Sequence, residues 1–271
     1  MAQEYPSKLR AWYRWESLKV EVKMDYANAA MYILICVVFS LISIKYRLLN
    51  FNGTIAAAVI GIIILFSTGI EWFVLLLIFL VLGILSTKFR YGYKERKGLH
   101  ERGNGMRKAA NVIANGLVPA AISLFALIFS PEKMIVPFTV AIAVATSDTF
   151  ASEIGVISDK VYMITNLKKT EAGTNGGVSW LGEGASLLGA AIISFSAFML
   201  VGMEPKWVAF SILMGFLGCQ IDSLLGATLQ GGVKAREEQL PSDAVLTNSD
   251  VNLLSISIAA LISFIFAVLL F

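Results

Sequence analysis

Eight apolar blocks, each approaching 20 residues, dominate this 271-residue chain. They run over roughly 27–44, 51–68, 70–87, 109–130, 134–157, 181–201, 207–224 and 251–271. A helix needs about 20 apolar residues to cross the hydrocarbon of a bilayer. Only a helix or a closed barrel satisfies every backbone N–H and C=O there. Hydrophobic residues make up 57% of the chain and charged ones 15%, and the apolar residues cluster in blocks rather than stripes. The expected fold is therefore an all-α, polytopic transmembrane helical bundle of seven or eight spans. The count is open because 51–68 and 70–87 lie back to back around Gly69 and Glu71, where a tight hairpin and a shorter re-entrant element both fit.

Lys and Arg in short loops set the expected orientation, since cytoplasmic loops are enriched in them. The stretch 88–108 carries eight and is assigned to the cytoplasm. The same side then takes 158–180, with Lys160, Lys168 and Lys169, and 225–250, with Lys234 and Arg236. Residues 1–26 hold five Lys or Arg and would lie outside in an eight-span arrangement. Either the span count differs or this tail lies on the membrane surface. Its Trp12, Tyr13 and Trp15 among basic residues suit an interfacial amphipathic helix; an ordinary soluble extension is the alternative. No charged segment followed by an apolar stretch and a small-residue cleavage site opens the chain, so a removable signal peptide is not expected. Residues 27–271 read as one membrane domain. Cys36 and Cys219 fall in spans without metal or disulfide spacing, and the single histidine, His100, is expected to be solvated in a basic loop. Zinc and serine-hydrolase templates find no matching residues, and nucleic acid is not an expected partner.

Function is therefore sought among polar residues inside the spans. Asp148 and Glu153 interrupt the fifth block. An Asp at a helix centre costs about 2.5–3.5 kcal/mol on the insertion scale, and a Leu or Ile returns only about 0.3–0.6. The cost falls if the acids face a wet cavity or bind a cation. The plain alternative is that they pair with Lys or Arg of neighbouring helices and only hold the bundle together. On a regular helix the two acids point about 140° apart, so both reach one ion only through local unwinding, which Gly155 would permit, or a second helix.

Other polar islands gather at the same ends of their helices. The fourth block opens with Arg107 and Lys108, followed by Asn111 and Asn115 on one face. Before the sixth, Gly173, Thr174, Asn175, Gly176, Gly177 and Ser179 form a glycine-rich turn that can aim backbone N–H groups at a phosphate. In the seventh, Gly215, Gly218 and Gly226 form a small-residue face that carries Asp222. The last opens with Asn248, Asp250 and Asn252, of which capping explains one. Carboxylates, amides, a glycine-rich turn and a basic rim are together what a Mg-bound polyphosphate requires. Apolar walls below could hold a lipid tail.

Five blocks, RKAANVIANG, TSDTFASEIGVIS, GTNGGVSWLGEGASLLGA, DSLLGATLQ and TNSDVNLLS, occur in this order. Over roughly residues 45–271 the chain resembles the integral-membrane family that contains the plant phytyl-phosphate kinase and uncharacterised prokaryotic and animal proteins. Phe150, Asn175 and Glu183 depart from the family pattern, where Trp, Ser and a small or hydroxylated residue are expected. The resemblance implies a kinase that converts an isoprenoid monophosphate to the diphosphate using a nucleoside triphosphate, CTP among the candidates. In that reading Asp148, Glu153 and Asp222 bind Mg2+. The 173–179 turn and Lys168 hold phosphates, Arg107 and Lys108 form a basic rim, and Asn111, Asn115, Asn248 and Asn252 orient the acceptor. The alternatives are a prenol kinase acting on the free alcohol and an ion-coupled transporter. A transporter predicts internal repeats, and no convincing repeat is present. A noncatalytic scaffold would leave the carboxylates without an account.

Overall fold

The computed structural model describes residues 26–100, 105–230 and 245–270. Nine helices lie among them: α1 Tyr26–Lys45, α2 Phe51–Thr68, α3 Ile70–Lys88, α4 Tyr91–Arg96, α5 Ala109–Phe125, α6 Pro131–Gly155, α7 Trp180–Val201, α8 Pro205–Leu229 and α9 Asn248–Leu270. All eight apolar blocks are helical. Seven of the helices, all but α4 and α5, are long and apolar enough to cross a membrane. The chain is a polytopic helical membrane protein. Residues 1–25, which hold nearly all of the basic tail, lie outside the described residues, as do Lys234 and Arg236 of the 231–244 segment.

The open question at Gly69 is settled in favour of the hairpin. Both α2 and α3 run for a full span, and Gly69 turns the chain between them at φ +93°, a conformation that suits glycine. Asn50 starts α2 by accepting from the Gly53 N–H at 2.7 Å, and Pro131 and Pro205 open α6 and α8 where a missing N–H costs nothing. At α9, Asp250 accepts from both the N–H and the hydroxyl of Thr247, and Thr247 accepts from the Asp250 N–H. Asp250 is thus the capping residue of its island.

α6 is the axle of the bundle. Every residue from Met134 to Ser147 is buried, because α3, α5, α7, α8 and α9 all pack on it. Small residues permit this. A Cβ added at Gly215 would lie 2.9 Å from the Ala143 Cβ, and one at Gly218 would lie 2.3 Å from a Val144 methyl carbon. Gly189 of α7 also rides close on the Thr146 carbonyl, 3.1 Å from where a Cβ would sit. The small-residue face of α8 read from sequence is thus a packing face, in which backbone approach replaces the hydrophobic drive that lipid cannot supply.

The segment after α6 contains strands where only a turn was expected. Val161–Met163 (β1) pairs antiparallel with Lys169–Thr170 (β2) and with Gly177–Val178 (β3), in the order β2-β1-β3. His100 is not simply solvated. Its ring is half-buried and sits edge-on to Tyr91, with centroids 5.6 Å apart.

The α1–α2 connection and the described ends of the α3–α5, α6–α7 and α8–α9 connections share one end of the bundle, since Arg107, Glu153 and Asn248 line one cavity. There Leu49 bridges to Arg107: the Arg107 N–H donates to Leu48 O (3.2 Å) and the Asn50 N–H to Arg107 O (3.1 Å). Cysteines introduced singly at exposed Lys97, Lys160 and Val245 should therefore react with an impermeant thiol reagent from one side only. One at Lys206 should react from the other; the natural cysteines are buried and silent. Labelling of Lys97 and Val245 positions from opposite sides would break this arrangement.

Candidate functional site

The site grows from the packing of α8 on α6. With Gly215 seated on Ala143 and Gly218 on Val144, the next inward turn brings Asp222 to Asp148, and their carboxyl groups lie within hydrogen-bonding reach of each other. Two bare carboxylates so placed repel, and a proton or a cation between their oxygens relieves this. α9 completes the cluster. The Ser255 hydroxyl donates to Asp222 Oδ2 at 2.9 Å. The Asn252 amide lies against both acids. In one orientation its Nδ2 is 3.5 Å from Asp148 Oδ2; turned over, it donates to Asn248 O at 2.9 Å and to Asp222 Oδ2 at 3.3 Å.

Glu153 has a different partner. α6 remains helical through Gly155, so the unwinding that would have turned Glu153 toward Asp148 does not occur. Glu153 instead forms a buried ion pair with Lys94 of α4, Oε2 to Nζ 2.5 Å. Lys94 is fully buried and also donates to the C-terminal carbonyls of α3, Ser86 O at 3.1 Å and Thr87 O at 2.8 Å. For Glu153 the plain alternative, a structural pair, is the one the structure bears. The expected three-carboxylate cluster is not assembled: among the described residues no three His, Cys, Asp or Glu side chains converge on a common metal position. The pair Asp148 and Asp222 is what could hold a divalent cation.

Two polar cavities meet at this pair. The first, about 120 Å³, is walled by Asp148, Asp222, Glu183 and the 173–179 turn. In that turn Gly176 takes φ +75° and presses on α8, where a Cβ would meet Ala227 at 2.3 Å. Gly173, Thr174, Asn175, Gly177 and Ser179 all line the cavity. Not every N–H is available to a phosphate: Thr174 donates to Glu171 O (3.3 Å) and Gly177 to Thr174 O (2.9 Å). Ser179 caps α7, accepting from the Gly182 N–H and donating to Gly155 O. The second cavity, about 70 Å³, is walled by Arg107, Asn111, Asn115, Glu153, Asn252 and Thr87, among others. Asn115 Nδ2 donates to Asn111 O at 2.7 Å, while its buried Oδ1 has no hydrogen-bond partner. Asp148, Ser152 and Asn248 line both cavities. Exposed Lys108 and Lys168 line neither.

The family model for integral membrane protein DUF92 matches residues 34–260. The chain belongs to this family. All five sequence blocks that form the two cavities fall inside the match. An uncharacterized membrane protein of Methanocaldococcus jannaschii is 34% identical over 85% of this chain and 90% of its own length. In Arabidopsis thaliana, Protein PGR is 26% identical over 84% of this chain and 92% of itself, and the chloroplastic Protein VTE6 is 28% identical over 79% and 64%. No solved structure matches. Against this DUF92 chain's own geometry, sequence reasoning missed Lys94, hidden among the loop's other basic residues. It also missed Ser255, one turn beyond Asn252. Glu183, noted as unusual, accepts from Gln220 Nε2 at 2.8 Å inside the first cavity.

The Lys94–Glu153 pair yields a stability prediction. Removing one partner strands a buried charge, at a typical cost of about 3–5 kcal/mol, whereas replacing both by apolar groups is often close to neutral. Glu153→Ala should therefore lower the detergent-solubilised protein's thermal stability strongly, and Lys94→Met with Glu153→Leu should restore most of it. A double variant as unstable as the single would contradict a pairing role.

Proposed function

We propose that this DUF92 chain is a membrane-embedded kinase that moves the terminal phosphoryl group of a nucleoside triphosphate to an isoprenoid monophosphate, forming the diphosphate. The observation that carries the proposal is the pair of polar cavities sharing Asp148. One is walled by a glycine-rich turn and two acids, which suits a polyphosphate. The other is walled by an arginine and amides, which suits a smaller anion. The likeness to the family of the plant phytyl-phosphate kinase supports the same reading. The Lys and Arg excess of the 88–108 loop argues that the site faces the cytoplasm.

In this reading the triphosphate occupies the first cavity, with Asn175 and Gly176 of the turn against its phosphates. The acceptor phosphate lies in the second, held by Arg107 and oriented by Asn111 and Asn252. One of its oxygens attacks the terminal phosphorus, the bond from that phosphorus to the bridging oxygen breaks, and the nucleoside diphosphate leaves. No general base is needed, since a phosphate monoester is already anionic; positioning and charge neutralisation supply most of the catalysis. Mg2+ fits the donor set, because it is bound by one or two carboxylates together with phosphate oxygens rather than by an all-protein cage. Asp148 and Asp222 would hold it, and it would neutralise charge on the transferring group. Ser255 and Asn252 keep Asp222 oriented.

The test is the purified protein in detergent with Mg2+, nucleoside triphosphates including CTP supplied one at a time, and prenyl monophosphates as acceptors. Mg-dependent formation of the prenyl diphosphate is expected. Asp148→Asn and Asp222→Asn should each lower turnover about 10³-fold, the equivalent of several kcal/mol of lost charge stabilisation. Ser255→Ala, which removes the hydroxyl's bonds to Asp222 and to the Asn252 carbonyl, should cost about 10–100-fold. Efficient phosphorylation of the free alcohol would make the protein a prenol kinase. No transfer to any acceptor, with cation-dependent solute uptake in proteoliposomes, would make it a transporter.

A further inference from the structure

Arg107 has a second neighbourhood. Besides the polar cavity it lines an apolar one of about 210 Å³ between α1, α2, α3 and α5. The guanidinium lies over the ring of Phe79, 5.9 Å from its centroid, and Phe79 is part of the apolar wall. It passes close over Gly83 of α3, where a Cβ would come 2.7 Å from Nη2. Its backbone is fixed by the bonds to Leu48 and Asn50. One anchored cation thus stands between an apolar channel and the acid pair.

α1 and α3 both pack on α2 but scarcely touch each other; between them the rings of Phe39 and Phe73 meet edge to face at 6.0 Å. Along α2 the wall includes Ala57 and Ala58, which leave room between Thr54 and Ile60, and α3 contributes Leu77 and Leu80. A channel ending directly on a cation matches an amphiphile with its phosphate on the terminal carbon of its chain. A two-chain glycerolipid would set its phosphate farther from its chains.

We propose that the channel bounded by α1, α2, α3 and α5 is the seat of the acceptor's isoprenoid chain, entered from the membrane between α1 and α3, with Arg107 holding the phosphate at its inner end. This rests on the reading of the second cavity as the acceptor's phosphate site, and it makes Ala57 and Ala58 determinants of chain length.

The experiment uses the full chain in lipid nanodiscs and a prenyl monophosphate carrying a diazirine on the first part of its chain, close to the phosphate, with labelled peptides mapped after irradiation. Labelling within α2 and α3 around Ala57, Ala58 and Leu77 is expected, competed by unlabelled prenyl monophosphate and not by phosphatidic acid. Ala58→Trp should raise KM for long prenyl monophosphates about tenfold or more by overfilling the channel, and raise it less for short ones. Labelling of lipid-facing positions on α8 such as Leu213, equal competition by phosphatidic acid, or an unaltered long-chain KM in Ala58→Trp would each overturn the channel. Photolabelling needs no turnover. A labelled channel without phosphoryl transfer would therefore overturn the kinase reading alone, and transfer with the label elsewhere would overturn the channel alone.

Discussion

The close approach of Asp148 and Asp222 is the contact on which the polar end of this molecule depends. Neither acid could be kept inside a membrane helix facing lipid, and neither faces it. Asp148 rides on α6, which five other helices wrap, and Asp222 is delivered to it by the glycine face of α8. A larger residue at Gly215 or Gly218 would push the helices apart at the level that sets the spacing of the two carboxylates. The packing of small residues and the electrostatics of the pair are thus one design. The first supplies the rigidity that holds two like charges together, and the second supplies affinity for whatever cation or proton separates them.

Much of the architecture was legible because it follows from solvation alone. Apolar blocks of spanning length, Gly69 between two of them, and polar residues gathered at one end all followed from the sequence and are present in the fold. The site was legible in part. Asp148, Asp222, Asn252 and the 173–179 turn do converge, while Glu153, on the wall of the second cavity with Asp148, is engaged by Lys94. Its position about 140° around the helix from Asp148 was the signal. A regular α6 had to send it toward a different neighbour. That neighbour, Lys94, could not be singled out, since a lysine among eight basic residues of one loop looks like any other until burial separates it. The small β-sheet was missed because its strands are two or three residues long, too short for a period-two pattern to register.

The division of the polar region into two chambers was not legible at all. It depends on which side chains of α5, α6 and α9 stand between the chambers, and that is a tertiary property. Yet it is the feature with the greatest functional content. A single cavity would suit hydrolysis or ion binding; two that share Asp148 and Asn248 suit transfer between two bound groups. In the proposed reading, Arg107 extends the arrangement by joining the acceptor side to an apolar channel, so that a membrane-dissolved chain and a water-soluble triphosphate would reach the same acid pair from different phases.

The central claim is that Asp148 and Asp222, and not Glu153, form the divalent-cation site. Mn2+ takes the same hard oxygen ligands as Mg2+ and is visible by electron paramagnetic resonance, so titration of the purified protein with Mn2+ tests the claim without any assumption about substrate. The account predicts a bound-ion signal that Asp148→Asn and Asp222→Asn abolish and that Glu153→Gln, which can still accept from Lys94, retains. Loss of the signal in Glu153→Gln with retention in both aspartate variants would contradict it.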